Sequence, residues 1–297
     1  ISAFVLDKRF GLAQGFATYD DRVDPRKVGA KGDGTFQERD ATAVTDAAIA
    51  HIESRKSSAR PLFTWVHYFT PHQPYSPPQK YKRLHPGRPY DGEIAYMDAE
   101  IGRLLAAIDA TGRRERTLIC LTADHGEGLG DHGEATHSFL LYETTMHVPL
   151  IFSNAKLFGG ASRVNDRLAS VLDIVPTTCD LLGIASPDEM DGANIMIGEP
   201  TDRSVYIETM AGLLAHGWAP LAGYRRLGDK FVEAPEPEFF DLIDDPDELK
   251  NLFPEQGMDQ RRALAELLKP FGEAEDVIAK ETEMTPELEK RLAAVGY

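Results

Sequence analysis

The sequence predicts an α/β fold in which a mostly parallel sheet is flanked by helices, followed by a small C-terminal antiparallel sheet and a helical tail. Three observations carry this. Strand, loop, helix and strand patterns follow one another between Pro61 and Thr122; after Gly198 the chain breaks into short segments punctuated by Gly, Asp and Pro; and from about Met258 it turns charged and helix-prone. The implied divisions are 1–198, 199–257 and 258–297.

Pro61-Leu-Phe-Thr-Trp-Val-His-Tyr-Phe69 is apolar, aromatic and bounded by Pro61 and Pro71, which reads as a buried strand entering the loop Pro71–Pro78. Apolar residues at Ile94, Met97, Ile101, Leu104, Leu105 and Ile108 recur at helical spacing, with Thr111-Gly112 as a stop. Thr117–Thr122 and Val148–Phe152 read as further strands, and Asp173–Leu182 as a helix with Pro176 in its first turn and Gly183 at its end. Arg203–Glu208, Leu221–Tyr224 and Lys230–Glu233 suit a small antiparallel sheet. In the tail, Leu264, Leu267 and Leu268 form a partial apolar stripe.

A chain of 297 residues with 42% hydrophobic side chains can fill a sizeable core. Its formal charge of -16 repels a phosphate backbone, which argues against nucleic acid as a partner. An anionic small molecule would then need a local positive centre, such as a metal. Cys120 and Cys179 lie in a strand-like run and a helix, far apart, and read as buried thiols rather than a disulfide. No apolar run approaches the length of a membrane span, and the first residues show no basic stretch followed by an apolar one.

The strand ending Thr122-Ala-Asp124-His125-Gly126 sets a carboxylate and an imidazole at the C-terminal edge of a sheet, where open α/β folds bind ligands. Adjacent Asp and His can reach one ion from a loop, and that donor pair suits a divalent cation of borderline hardness. The plainer reading of a bare Asp-His-Gly is a cap and a satisfied polar residue. The run continues, however, through Glu127-Gly-Leu-Gly-Asp-His-Gly-Glu134-Ala-Thr-His137 to Met146-His-Val-Pro-Leu-Ile151. Phe4–Phe16, Pro71-His72-Gln-Pro-Tyr75, Tyr90–Asp98 and Phe239–Leu252 add to the pattern over nearly the whole chain.

This extended pattern resembles the sulfatases of the alkaline phosphatase superfamily. The resemblance implies that Asp124 and His125 are ligands of one divalent metal, Ca²⁺ before Mn²⁺ or Mg²⁺. It implies that His137 contacts the anionic group of the substrate, and that His72 faces the ester oxygen as leaving-group acid. An imidazole can serve so near neutral pH, its unperturbed pKa being about 6.5. The bottom-up alternative for His72 is a loop histidine held by proline-rich turns. His67 reads as core or second in line; His132, His147 and the Arg225-Arg226 pair have weaker claims.

The family's nucleophile, a cysteine converted to formylglycine in Cys-x-Pro-x-Arg or a Ser or Thr in related branches, matches neither cysteine here. Loss of roughly a hundred residues before Ile1 is the reading this suggests, with metal binding weakened and hydrolysis absent in the chain by itself. The implied reaction of the whole protein is hydrolysis of a sulfate monoester of a sugar, aryl or lipid-headgroup alcohol. Rivals are a phosphonate or phosphate ester hydrolase or phosphoglycerol transferase with the same layout, and a non-catalytic binding protein that keeps the fold. A two-zinc phosphatase would carry an upstream Asp-x-x-x-His pair, which is missing. Leu288–Tyr297 resembles the join to a helical repeat domain, and the resemblance suggests a bacterial, periplasmic or otherwise extracytoplasmic location.

Overall fold

The computed structural model describes residues 1–3, 6–22, 39–160, 162–197 and 203–268. Leu288–Tyr297, most of the 258–297 tail and the residues Phe4 and Val5 lie outside them. The chain forms two compact units, Ile1–Thr117 and Leu118–Glu289.

In the first unit, Asp40 caps helix α1 (Ala41–Ser54) by accepting from the Ala43 N–H, an arrangement worth about 1 kcal/mol. Helix α2 (Gln79–Leu84) is followed by α3 (Pro89–Ala110), whose first turn tolerates Pro89 because that position needs no amide donor. The fully buried positions of α3 lie beside its apolar stripe, whose Met97, Ile101, Leu104, Leu105 and Ile108 are half-buried. Gly92, Glu93, Tyr96 and Glu100 are buried, while Ile94 is 40% exposed. The polar stripe wins because its partners are polar: Tyr96 Oη and Glu100 Oε1 meet Thr42 Oγ1 of α1 at 2.7 and 3.1 Å, and Arg103 bridges Glu100 to Asp46. Buried polar atoms are tolerated where such bonds satisfy them.

Pro61–Phe69 corrects the strand expectation. The segment forms no ladder among the described residues, and Leu62, Phe63 and Trp65 are 39%, 77% and 42% exposed. A strand is made by its partner, and local composition cannot supply one.

In the second unit, β1 (Ile119–Thr122) leads into the loop that carries Asp124, and the single-turn helix α4 (Glu143–Met146) precedes β2 (Leu150–Ser153). The α/β class holds, but these two strands pair antiparallel, with Thr122 opposite Leu150, where parallel neighbours were expected. A parallel return needs a crossover element; the connection here doubles back through a loop and one helical turn. Cys120 is exposed, against the expectation of a buried thiol, because alternation along β1 turns it and Thr122 to the open face. Helix α5 (Ala155–Phe158) and helix α6 (Ile174–Leu182) follow, α6 ending on Gly183 in the left-handed region at φ 66° as its sequence predicted.

The C-terminal antiparallel sheet is present as expected, in the order β3 (Val205–Thr209), β4 (Leu221–Arg225), β5 (Asp229–Glu233), β6 (Glu238–Asp241), with helix α7 (Ala211–His216) between its first two strands. One face packs Tyr224, Phe231 and Phe239 against Leu264 and Leu268 of helix α8 (Phe253–Leu268). The other face packs Ile207 and Val232 against Leu141. The loop that follows Asp124 is therefore backed by the sheet.

Candidate functional site

The Asp124 loop is shaped by glycines at two close approaches. A Cβ on Gly126 would collide with the Thr144 carbonyl, and one on Gly128 with the carbonyls of Glu134 and Thr136. Their N–H groups bond the Thr145 and Thr136 carbonyls at 2.7 and 2.6 Å. Buried Glu134 completes the turn by accepting from the Phe139 and Leu140 N–H groups at 2.7 and 3.4 Å.

This loop brings His137 onto His125: their rings stack with centroids 4.0 Å apart and planes 25° apart. His137 Nδ1 lies 3.1 Å from Oε1 of Glu127, whose side chain is only 4% exposed. Sequence reasoning passed over Glu127, yet its spacing from His137 across a glycine-rich turn was the available signal. A buried carboxylate beside Nδ1 accepts a hydrogen bond from it and fixes the orientation of the ring.

Asp124 and His125 are placed where a cation could be reached. Their side chains are 79% and 41% exposed, and Asp124 Oδ2 lies 3.9 Å from His125 Nε2. That separation is less than twice the metal–oxygen distance of about 2.3–2.6 Å, so both donors can bind one ion. His125 Nδ1 bonds the Gly126 carbonyl at 2.8 Å, which leaves Nε2 as the donor in the neutral ring, the usual arrangement of a ligating imidazole. The pair fits one divalent cation but supplies only two donors, and no group of three candidate ligands occurs among the described residues.

His72 belongs to the first unit. Its ring stacks on Phe69 at 4.0 Å and its Nδ1 lies 2.6 Å from the Gln73 carbonyl. Buried Glu93 on α3 ties down the loop by accepting from the His72 and Ser76 N–H groups at 3.2 and 2.6 Å. Gly92 allows this contact, since a Cβ there would press on Pro77.

The weaker candidates have structural occupations. His67 Nδ1 meets Ser2 Oγ at 2.9 Å. His132 stacks on Tyr142 at 3.7 Å and lies 3.1 Å from the Asp247 carbonyl. His147 is exposed. Arg225 pairs with Glu143, and Arg226 lies over the Tyr224 ring while bonding Ser204. Beneath the loop, Lys230 is fully buried; its ammonium bonds the Leu141 carbonyl at 2.7 Å and pairs with Glu143 and Glu248. Burial raises the Glu248 carboxyl above its ordinary range, against the pull of Lys230.

The sulfatase family model matches residues 6–184. An arylsulfatase of Clostridium perfringens is 30% identical over 168 residues, which cover 55% of this chain and 35% of that protein. The match thus spans about a third of the relative's length. Among solved structures, Ps i-CgsB in complex with k-i-k-neocarrahexaose superposes with a TM-score of 0.66 at 20% identity, covering 86% of this chain and 60% of that one. The phosphonate monoester hydrolase of Agrobacterium radiobacter gives 0.62 at 23% identity, covering 78% and 60%. At these identities the structures establish the fold, an alkaline-phosphatase-like α/β architecture.

Proposed function

This chain belongs to the sulfatase family, and on that premise we propose that the whole protein hydrolyses sulfate monoesters with the help of one divalent cation, for which the family resemblance favours Ca²⁺ over Mn²⁺ or Mg²⁺, its shell completed by further oxygens. The observation that carries the reading is the Asp124–His125–His137–Glu127 cluster: two donors 3.9 Å apart, with a second imidazole stacked on the first and oriented by a buried carboxylate. Asp124 and His125 hold the cation, which when bound supplies positive charge to the sulfuryl oxygens. His137 contacts the transferred anionic group. His72, its loop fixed by Glu93, carries the proton that the departing alcohol takes up.

Neither cysteine of this chain lies in a Cys-x-Pro-x-Arg sequence. We therefore place the nucleophile, formylglycine or a Ser or Thr, in a part of the whole protein outside these residues, and expect the 297-residue chain alone to show no turnover. An extracytoplasmic location goes with this reading. No helix among the described residues is long and apolar enough to cross a membrane.

The acid role is tested by leaving-group dependence in the whole protein. For an alkyl sulfate, whose alkoxide needs protonation, His72→Ala is expected to lower kcat by about 10²–10⁴-fold, and for nitrophenyl sulfate by far less. Equal losses on both substrates would contradict the assignment. Nitrophenyl phosphate and a phosphonate ester run alongside would reveal a preference for phosphorus esters, which would overturn the sulfate reading.

A further inference from the structure

Lys230 stands on β5 with no exposed surface, sharing a face with Val232 while Phe231 takes the opposite one. Its ammonium donates to the Leu141 carbonyl at 2.7 Å, lies 3.4 Å from Glu143 Oε1 and pairs with Glu248. A buried ion pair is a weak source of stability, since well-packed apolar side chains of similar volume serve as well or better. What an apolar side chain cannot do is hold a carbonyl and a carboxylate of another segment at fixed places.

The segment held in this way leads to the cation donors. Glu248 is 3% exposed and stands in the left-handed region at φ 56°, which residues other than glycine rarely adopt. From there its Oε2 accepts from the Glu143 N–H at 2.6 Å, and the Glu143 carboxylate also pairs with Arg225 of β4. The next two carbonyls of α4, those of Thr144 and Thr145, accept from the Glu127 and Gly126 N–H groups at 3.1 and 2.7 Å. Those amides directly follow His125, and Glu127 in turn orients His137. Beside Glu248, the Asp247 carbonyl lies 3.1 Å from His132 Nε2, and the His132 ring stacks on Tyr142. The small sheet and the turn after it thus hold the chain on both sides of Tyr142. Asp124 is 79% exposed, so its place depends on the backbone that follows it rather than on packing.

We propose that Lys230 is a positioning residue for the cation: with Glu143 and Glu248 it fixes α4, and α4 fixes the two amides that set Asp124 and His125 3.9 Å apart before the ion arrives. The order is then built into the small sheet, and binding of the ion does not have to supply it. This role rests on the cation reading of Asp124 and His125; it does not depend on which ester is cleaved.

The test compares the whole protein with two variants of it, Lys230→Met combined with Glu248→Gln, and Phe231→Leu. The first removes two buried charges together and keeps an acceptor for the Glu143 N–H. Phe231→Leu loosens the opposite face of the same strand and controls for lost stability. Ca²⁺ binding after chelation is measured by calorimetry, and hydrogen exchange of the Gly126 and Glu127 amides is followed without the ion. The double variant is expected to bind Ca²⁺ about tenfold more weakly, as loss of an indirect partner of a metal ligand predicts. It should exchange those two amides faster, and keep kcat for nitrophenyl sulfate nearly unchanged once Ca²⁺ saturates it. Phe231→Leu is expected to lower the urea midpoint at parental Ca²⁺ affinity. Parental affinity in the double variant, a loss matched by Phe231→Leu, or unchanged exchange at both amides would overturn the positioning role. If the double variant does not fold, the exposed change His132→Ala, which frees the same loop from Asp247, decides: weaker Ca²⁺ binding supports the anchor and parental binding overturns it. Ca²⁺ binding by the parent without turnover of any sulfate ester would overturn the hydrolase reading alone, with the binding constants still deciding Lys230.

Discussion

Asp124 and His125 are adjacent in sequence, so their proximity was legible from the start. What the sequence did not display is how a glycine-framed turn carries His137 back onto His125 and sets Glu127 behind it. Asp20 shows at the same scale how pairing governs pH behaviour. Hydrogen bonds from Arg22, followed by the charge of Arg39, hold its carboxyl well below the usual carboxylate range. A carboxyl depressed on folding stabilises above its unfolded pKa of about 3.9, and that contribution is lost as pH falls toward the folded value. Arg22 is 82% exposed, so water screens much of its share; Arg39, at 12%, matters more per contact. Asp20→Asn is therefore expected to lower stability at pH 7 modestly and to flatten its decline below about pH 4, as read from urea midpoints across pH. An unchanged acid limb would show that Asp20 does not titrate with folding.

Among the elements, α3 was readable because its apolar period and Gly112 agree, yet the period did not reveal that its most buried positions are polar neighbours of the stripe. Glu93, Tyr96 and Glu100 are buried because Thr42 and the His72 loop offer them hydrogen bonds, and such partners lie too far along the chain for a local pattern to reveal. Helix α1 is hard to read from sequence because its alanines and β-branched residues make a weak stripe, although Asp40 before Ala41 is a usable start signal. Lys230 was likewise unremarkable in sequence. On β5 it shares a face with Val232 by strand alternation, and it reaches through that face to Leu141, Glu143 and Glu248. The sheet thereby anchors the segment whose carbonyls hold Gly126 and Glu127. Lys230→Met leaves the buried Glu248 carboxylate without its cation and Glu143 with Arg225 alone, and is expected to cost about 3–5 kcal/mol. Adding Glu248→Gln, which keeps an acceptor for the Glu143 N–H, is expected to recover part of it. A double variant no more stable than Lys230→Met in urea unfolding would mean that the buried charge is not the cause.

For the molecule as a whole, the exposed apolar run Leu62, Phe63 and Trp65 is the feature most at odds with a finished surface. Extended apolar segments without a ladder recruit other chains. Phe63→Lys is expected to reduce light scattering and dye binding by the 297-residue chain while leaving its helix content unchanged; undiminished scattering would place the sticky surface elsewhere. The class of the fold was legible in the succession of its elements, and the family in motifs running from Phe4 to Leu252. The direction of β1 against β2 and the lack of a strand ladder at Pro61–Phe69 among the described residues were not, since both depend on neighbours distant in sequence. The functional account turns on a cation shared by Asp124 and His125. Its most direct test is release of inorganic sulfate by the whole protein as Ca²⁺ is titrated after chelation, in the parent and in Asp124→Ala. The parent is expected to recover activity saturably, and the variant to fall about a hundredfold or more at a cation level that saturates the parent. Full activity of Asp124→Ala in chelator would contradict the account.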